Sequence, residues 1–146
     1  SLGADLVIDY ASEDFVHEVL GVTGGAGVDV ILDVIGGEYL PRNVAAVALG
    51  GRIIQVGVMA AKPVPFDVGS LLVKRASVTG TTLRARPIEE KIAITQEFAA
   101  QLLPHVASGS VKPVIDSRYS LDEVAAAHTR MGQNANAGKL VLDVGT

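Results

Sequence analysis

Residues 27–37, GVDVILDVIGG, constrain this chain more than any other stretch. Val28, Val30, Ile31, Leu32, Val34 and Ile35 make a nearly unbroken apolar run. It is too short for an ordinary globular helix and rich in β-branched residues, as expected of a strand covered on both faces in a parallel sheet. It stops at Gly36-Gly37. Ligands of open parallel sheets bind beyond the carboxyl ends of the strands, so Ile35, Gly36 and Gly37 mark an expected binding edge.

The flanking sequence supplies the rest of such a sheet. Residues 5–9, DLVID, read as a first strand, and Ser12 reads as the cap of an amphipathic helix carrying Phe15, Val16, Val19 and Leu20. A second helix is predicted over 39–49, with Pro41 in its first turn and Gly50-Gly51 as its stop. A strand over 52–56, RIIQV, ends at Gly57. Right-handed crossovers would place these βα units in one parallel sheet. Further on, the pattern predicts a short helix over 68–74, a strand over 76–81, and a long helix from Pro87 that Pro104 bends or ends. The tail has another rhythm. A strand over 112–119, a Ser120-x-x-Glu123 capping box with a helix through Met131, and a strand over 138–144 form a C-terminal strand-helix-strand segment. The prediction is an α/β fold with helices on both faces of a parallel sheet, divided into residues 1–86 and 87–146.

Composition bounds the partners. A chain of 146 residues that is 49% hydrophobic and 19% charged holds enough apolar side chain for a core. Net charge is −4 with no dense basic cluster, which argues against nucleic acid and anionic membranes. No apolar run approaches the roughly 18 to 20 residues of a membrane span, and the first residues lack a secretory pattern, so the cytoplasm is the default expectation. Without cysteine there is no disulfide, thiol nucleophile or thiolate zinc site, and His17, His105 and His128 are far apart in sequence, so no metal site is expected.

The residues themselves offer little catalytic chemistry. A GxGxxG joining a strand to a helix N-terminus, where backbone N–H groups cradle pyrophosphate, is absent, and Gly24-Gly25-Ala26-Gly27 precedes a strand instead of following one. His105 lies near a helix end, His128 reads as a packed helical residue and His17 as solvent-facing. Asp29 and Asp33 share a strand face, but in a parallel strand such residues more often flank the apolar run. No catalytic residue is assigned.

Seven blocks, LGADLVIDY, GAGVDVILDVIGG, GGRIIQVGVM, SVTGTTLRAR, LLPHVASGSVKPVID, YSLDEVAAAH and AGKLVLDV, occur in order along essentially the whole chain. Together they resemble the C-terminal portion of the zinc-independent quinone oxidoreductases of the medium-chain dehydrogenase/reductase superfamily. The resemblance implies that residues 1–86 are a partial Rossmann domain and that 87–146 are a long helix and a return segment toward a substrate domain. It also implies a glycine-rich phosphate loop and a substrate domain upstream of Ser1. In the usual strand order the run at 5–9 then loses its neighbours, or pairs directly with 28–34.

The resemblance further implies NADPH, with NADH possible, and hydride transfer to a quinone or another conjugated carbonyl. By matched position, Tyr10 lies beside the adenosine ribose and its 2′-phosphate, and Ile35 and Gly36 lie near adenine and ribose. Val58 and Met59 supply backbone contacts to the carboxamide, Thr81, Thr82 and Leu83 form the loop closing over the nicotinamide, and Asn136 lies near the cofactor. The strand at 76–81 would pair with its twin in a homodimer. On this reading the chain alone is inactive. The alternatives are a fragment of an enoyl-thioester reductase and, from another class, a non-catalytic association module using exposed sheet edges.

Overall fold

In the computed structural model, which describes residues 3–60 and 62–145, β1 (Val28–Asp33), β2 (Val47–Gln55) and β3 (Ser77–Gly80) form a parallel sheet in the order β1-β2-β3. The register aligns Ile31 with Ile53 and Ile53 with Val78, so the strand ends at Asp33, Gln55 and Gly80 lie side by side. The chain divides into two units, Ser1–Arg86 and Pro87–Thr146.

The first unit also holds α1 (Phe15–Val22), α2 (Tyr39–Ala46) and α3 (Val68–Lys74). Its core is Val44 of α2 with Val47 and Ile53 of β2, and Ile31, Phe66, Leu71 and Ala76 pack around them. Val47 and Ile53 are fully buried, and sequestering each from water stabilises the fold by roughly 1.5–3 kcal/mol. Because strand side chains alternate, Val30 and Leu32 lie on the face opposite Ile31, and they are 50% and 68% exposed. Within this unit β1 is therefore covered on one face, against the expectation of burial on both.

Three local predictions change. Residues 5–9 form no strand: Asp5 is a bend, 6–9 adopt no regular structure, and β1 hydrogen-bonds only to β2 among the described strands, which leaves this run no ladder partner. The direct pairing of 5–9 with 28–34 is likewise absent. The cap of α1 is Asp14, whose carboxylate accepts from the Val16 N–H at 3.0 Å, while Ser12 donates its hydroxyl to Asp9 in the preceding turn. Gly50-Gly51 does not stop α2. The helix ends at Ala46 and β2 begins at Val47 with no loop between them, both residues being buried. Burial of Val47 in the core fixes this junction, and the Lys74 ammonium donates to the Ala45 and Val47 carbonyls at 2.6 Å each. The two glycines instead fall within β2, where its pairing with β1 is irregular.

The second unit contains α4 (Ile88–Gln101), α5 (Leu103–Ala107), β4 (Ile115–Ser120), α6 (Val124–Gly132) and β5 (Lys139–Asp143). The predicted long helix breaks at Leu102, one turn around Pro104 continuing as α5. β4 and β5 pair with each other in parallel, joined through the capping box, in which the Ser120 N–H donates to the Glu123 carboxylate at 2.9 Å. Ala127 is the buried residue of α6, and His128 is exposed rather than packed. Asp116 ties the unit together. Its carboxylate accepts from Arg130 Nε at 2.8 Å, Arg130 Nη2 at 3.1 Å, the Ser117 hydroxyl at 2.6 Å and the Ala137 N–H at 3.0 Å. The Arg130 guanidinium, followed by Ser117 and Ala137, holds this carboxyl well below the usual carboxylate range.

Candidate functional site

Three turns leave the carboxyl edge of the sheet together, at 34–38 after β1, 56–60 after β2 and 81–86 after β3. Gly36 adopts φ +66°, a left-handed conformation that glycine enters without a Cβ penalty. A Cβ there would lie 2.8 Å from Val58 Cγ1, and one on Gly57 would lie 3.0 Å from the Val34 carbonyl, so the first two turns touch through their glycines. The Met59 and Ala60 N–H groups donate to the Val34 and Ile35 carbonyls at 3.3 and 2.9 Å.

Asp33 is the polar centre of the first turn, and its hydrogen bonding explains how a carboxylate 4% exposed is tolerated at the end of an apolar strand. One oxygen accepts from the Ile35 and Gly36 N–H groups at 2.6 and 2.9 Å. The other accepts from the Asn43 amide of α2 at 2.9 Å. Gln55, its neighbour in register, donates through Nε2 to the Asp33 carbonyl at 3.2 Å and the Gly57 carbonyl at 2.5 Å, and its main-chain carbonyl accepts from the Thr81 N–H at 3.0 Å. The sequence places Asp33 only as a residue flanking the apolar run, and it singles out neither Asn43 nor Gln55. The available signal was Asp three residues before Gly36, the spacing at which an aspartate bonds backbone N–H groups of its own turn.

The expected site residues separate by unit. Ile35 and Gly36 sit in the first turn, the latter buried, and Val58 and Met59 project from the second at 68% and 76% exposure. Thr81, Thr82 and Leu83 form the third turn, in which Arg86 donates to the Thr82 carbonyl at 2.8 Å. Tyr10 is 67% exposed in the turn preceding α1. Asn136 belongs to the second unit, where its amide donates to the Gly138 carbonyl at 2.8 Å and closes the turn into β5. A groove of about 290 Å³, lined by Gly37, Val58, Lys62 and Pro63, opens at the edge of the first two turns. A second concavity of about 310 Å³ runs along β1 and is lined by Phe15, Val19, Leu32 and Tyr39 among others. Its walls are mainly apolar, with Asp33 and Asn43 the polar residues among them, and it reads as uncovered packing surface beside the edge of β1 that no described strand pairs.

A model of the family described as zinc-binding dehydrogenase matches residues 2–142. The chain belongs to that family. Within the medium-chain dehydrogenase/reductase superfamily it corresponds to the C-terminal portion, as the resemblance implied. It is 29% identical to human quinone oxidoreductase over 96% of this chain and 41% of the relative. It is 33% identical to a phenolphthiocerol/phthiocerol polyketide synthase of Mycobacterium tuberculosis over 98% of this chain and 6% of that protein. A mycobacterial protein solved in complex with NADPH superimposes with a TM-score of 0.76 at 26% identity, over 96% of this chain and 44% of that one. The chain thus spans less than half the length of these relatives, and the α/β class with Rossmann-like parallel strands holds.

The chain has no cysteine, and among the described residues no group of three or more His, Asp or Glu side chains could hold a metal ion. Among the described residues no helix is long and apolar enough to cross a membrane.

Proposed function

We propose that this chain supplies the greater part of a nicotinamide-dinucleotide domain in an NAD(P)H-dependent, zinc-independent quinone oxidoreductase-like enzyme. The observation that carries the reading is the convergence of three turns at the carboxyl edge of one parallel sheet, with the turns after β1 and β2 in contact through Gly36 and Gly57. Kinship to quinone oxidoreductases and to an NADPH complex supports the choice of cofactor. When bound, the cofactor supplies a hydride. Tyr10, Ile35 and Gly36 would hold its adenosine side, and Val58, Met59, Thr81, Thr82 and Leu83 its nicotinamide side, while Asn136, by matched position alone, is expected near the cofactor. NADPH is the favoured form, because Tyr10 matches a residue beside the 2′-phosphate. A quinone or conjugated carbonyl is the acceptor, oriented by residues outside this chain, and the reaction takes place in the cytoplasm.

The phosphate-binding part of the site is not among these residues, so the chain by itself is inactive and depends on the remaining portion of its parent. NADPH oxidation with a simple quinone, measured on the protein as its gene encodes it and on the verified 146-residue chain, tests both statements. Turnover by the longer protein alone is the expected result, and robust turnover by the 146 residues overturns the proposal.

All four residues of β3 are exposed and its outer edge bonds to no described strand, which supports a homodimer formed by pairing of the two copies' 76–81 segments. Sedimentation of Thr79→Pro against the unaltered protein is the check, and an unchanged dimer in the variant refutes this interface. A second reading, an enoyl-thioester reductase domain, is favoured by the 33% identity to a polyketide synthase. Preference for an enoyl thioester over a quinone would establish it.

A further inference from the structure

The carboxyl-edge turns are not held by their glycines alone. The Gln55 side chain joins the ends of the first two, donating to the carbonyls of Asp33 and Gly57, while its main-chain carbonyl accepts the Thr81 N–H of the third. Both partners of its side chain are carbonyl oxygens, so the amide must present its nitrogen to them, and a carboxylate in its place would repel both. Asp33 complements it by taking the Ile35 and Gly36 N–H groups, with Asn43 holding its second oxygen.

We infer that Gln55 and Asp33 are positioning residues of the cofactor groove. They fix the spacing of the turns that a dinucleotide meets, and neither is required to touch it. The inference rests on the nucleotide reading above. One consequence follows for recognition. The Ile35 and Gly36 N–H groups are engaged by Asp33, and the Gly36 and Gly37 carbonyls accept from Tyr39 and Leu40 at 3.1 Å each. This turn therefore receives a ligand by shape and contact with a ring or ribose, and it offers those two donors to no phosphate.

The test compares four variants of the protein as its gene encodes it: Gln55→Met, Gln55→Glu, Asp33→Ala and Asp33→Asn. Methionine keeps the length of Gln55 without its donors. Asparagine can still accept from Ile35 and Gly36, with the Asn43 amide turned over. Displaced turns weaken nucleotide binding more than they slow chemistry, so Gln55→Met is expected to raise KM for NADPH by about tenfold with kcat within about threefold. Gln55→Glu is expected to be worse, and Asp33→Asn to restore most of what Asp33→Ala loses. Hydrogen exchange of the Ile35 and Gly36 amides gives a readout independent of activity: acceleration in Asp33→Ala and near-normal protection in Asp33→Asn. If the unaltered protein binds neither NADPH nor NADH, the nucleotide reading falls while the exchange data still judge the positioning role. Unchanged exchange in Asp33→Ala, or a Gln55→Met variant in which KM is unaffected, overturns the inference. If Asp33→Ala does not fold, Asp33→Asn and the two Gln55 variants still decide it.

Discussion

Replacing Gly36 by alanine separates two contributions that the turn after β1 combines. At φ +66° a residue with a Cβ is strained by about 1–2 kcal/mol relative to glycine. The new methyl group would also lie 2.8 Å from Val58 Cγ1, too close to persist. Val58 is 68% exposed, so its side chain has room to rotate, and the contact adds about 0.5–1.5 kcal/mol of rotamer strain rather than a backbone shift. The sum is a destabilisation of about 1.5–3.5 kcal/mol, read from the midpoint of a urea titration at unchanged slope. The double variant Gly36→Ala, Val58→Ala recovers the rotamer part and retains the backbone part, about 1–2 kcal/mol. A Gly36→Ala variant as stable as the unaltered protein refutes the backbone argument. Complete rescue by Val58→Ala refutes it too, because the whole effect would then be steric.

Ile53→Ala, at a fully buried position between α2 and α3, is expected to cost about 2–5 kcal/mol in the same titration. Lys74→Met removes the donor to the Ala45 and Val47 carbonyls and is expected to cost about 1–3 kcal/mol, which thermal unfolding will register. The Asp116 carboxyl is held low by Arg130, then Ser117 and Ala137, so its contribution is complete above the ordinary value of 3.8 and is lost as pH falls below it. Acid unfolding of the β4-α6-β5 unit followed by circular dichroism should therefore steepen below about pH 4. Asp116→Asn should flatten that dependence, and an unaltered acid limb in the variant contradicts the assignment.

The parts legible in sequence were those with local causes. The β-branched run at 28–33, the helix at Val68–Lys74 and the Ser120–Glu123 box depend on neighbours within a few residues, and each is present. The parts that were not legible depend on distant partners. Nothing beside Gly50 in sequence shows that Val47 will be buried against Val44 and Ile53, yet that burial turns a predicted helix end into a strand. Residues 5–9 have strand chemistry and no adjacent strand to pair with. His128 shares a spacing with Leu121 and Val124, but Ala127 is the residue turned inward. At the candidate site the glycines were visible because their chemistry is intrinsic. The roles of Asp33 and Gln55 were not, since each is defined by a group from another element: the Asn43 amide for the first, the Asp33 carbonyl for the second.

The loopless passage from α2 into β2 leaves the chain no slack at that point. The slack lies just beyond it, at 48–51, where β2 advances from Val47 to Arg52 while β1 advances only from Val28 to Val30, so a residue gained or lost there can be taken up without moving Ile53. From Arg52 to Gln55 the register is continuous and pinned at both ends. A residue inserted between Ile53 and Gln55 must therefore either draw Ile53 from its buried place, exchanging the faces of the strand, or move Gln55 out of line with Asp33 and uncouple the edge turns. Length changes of one will be tolerated around the two glycines and ruinous four residues later.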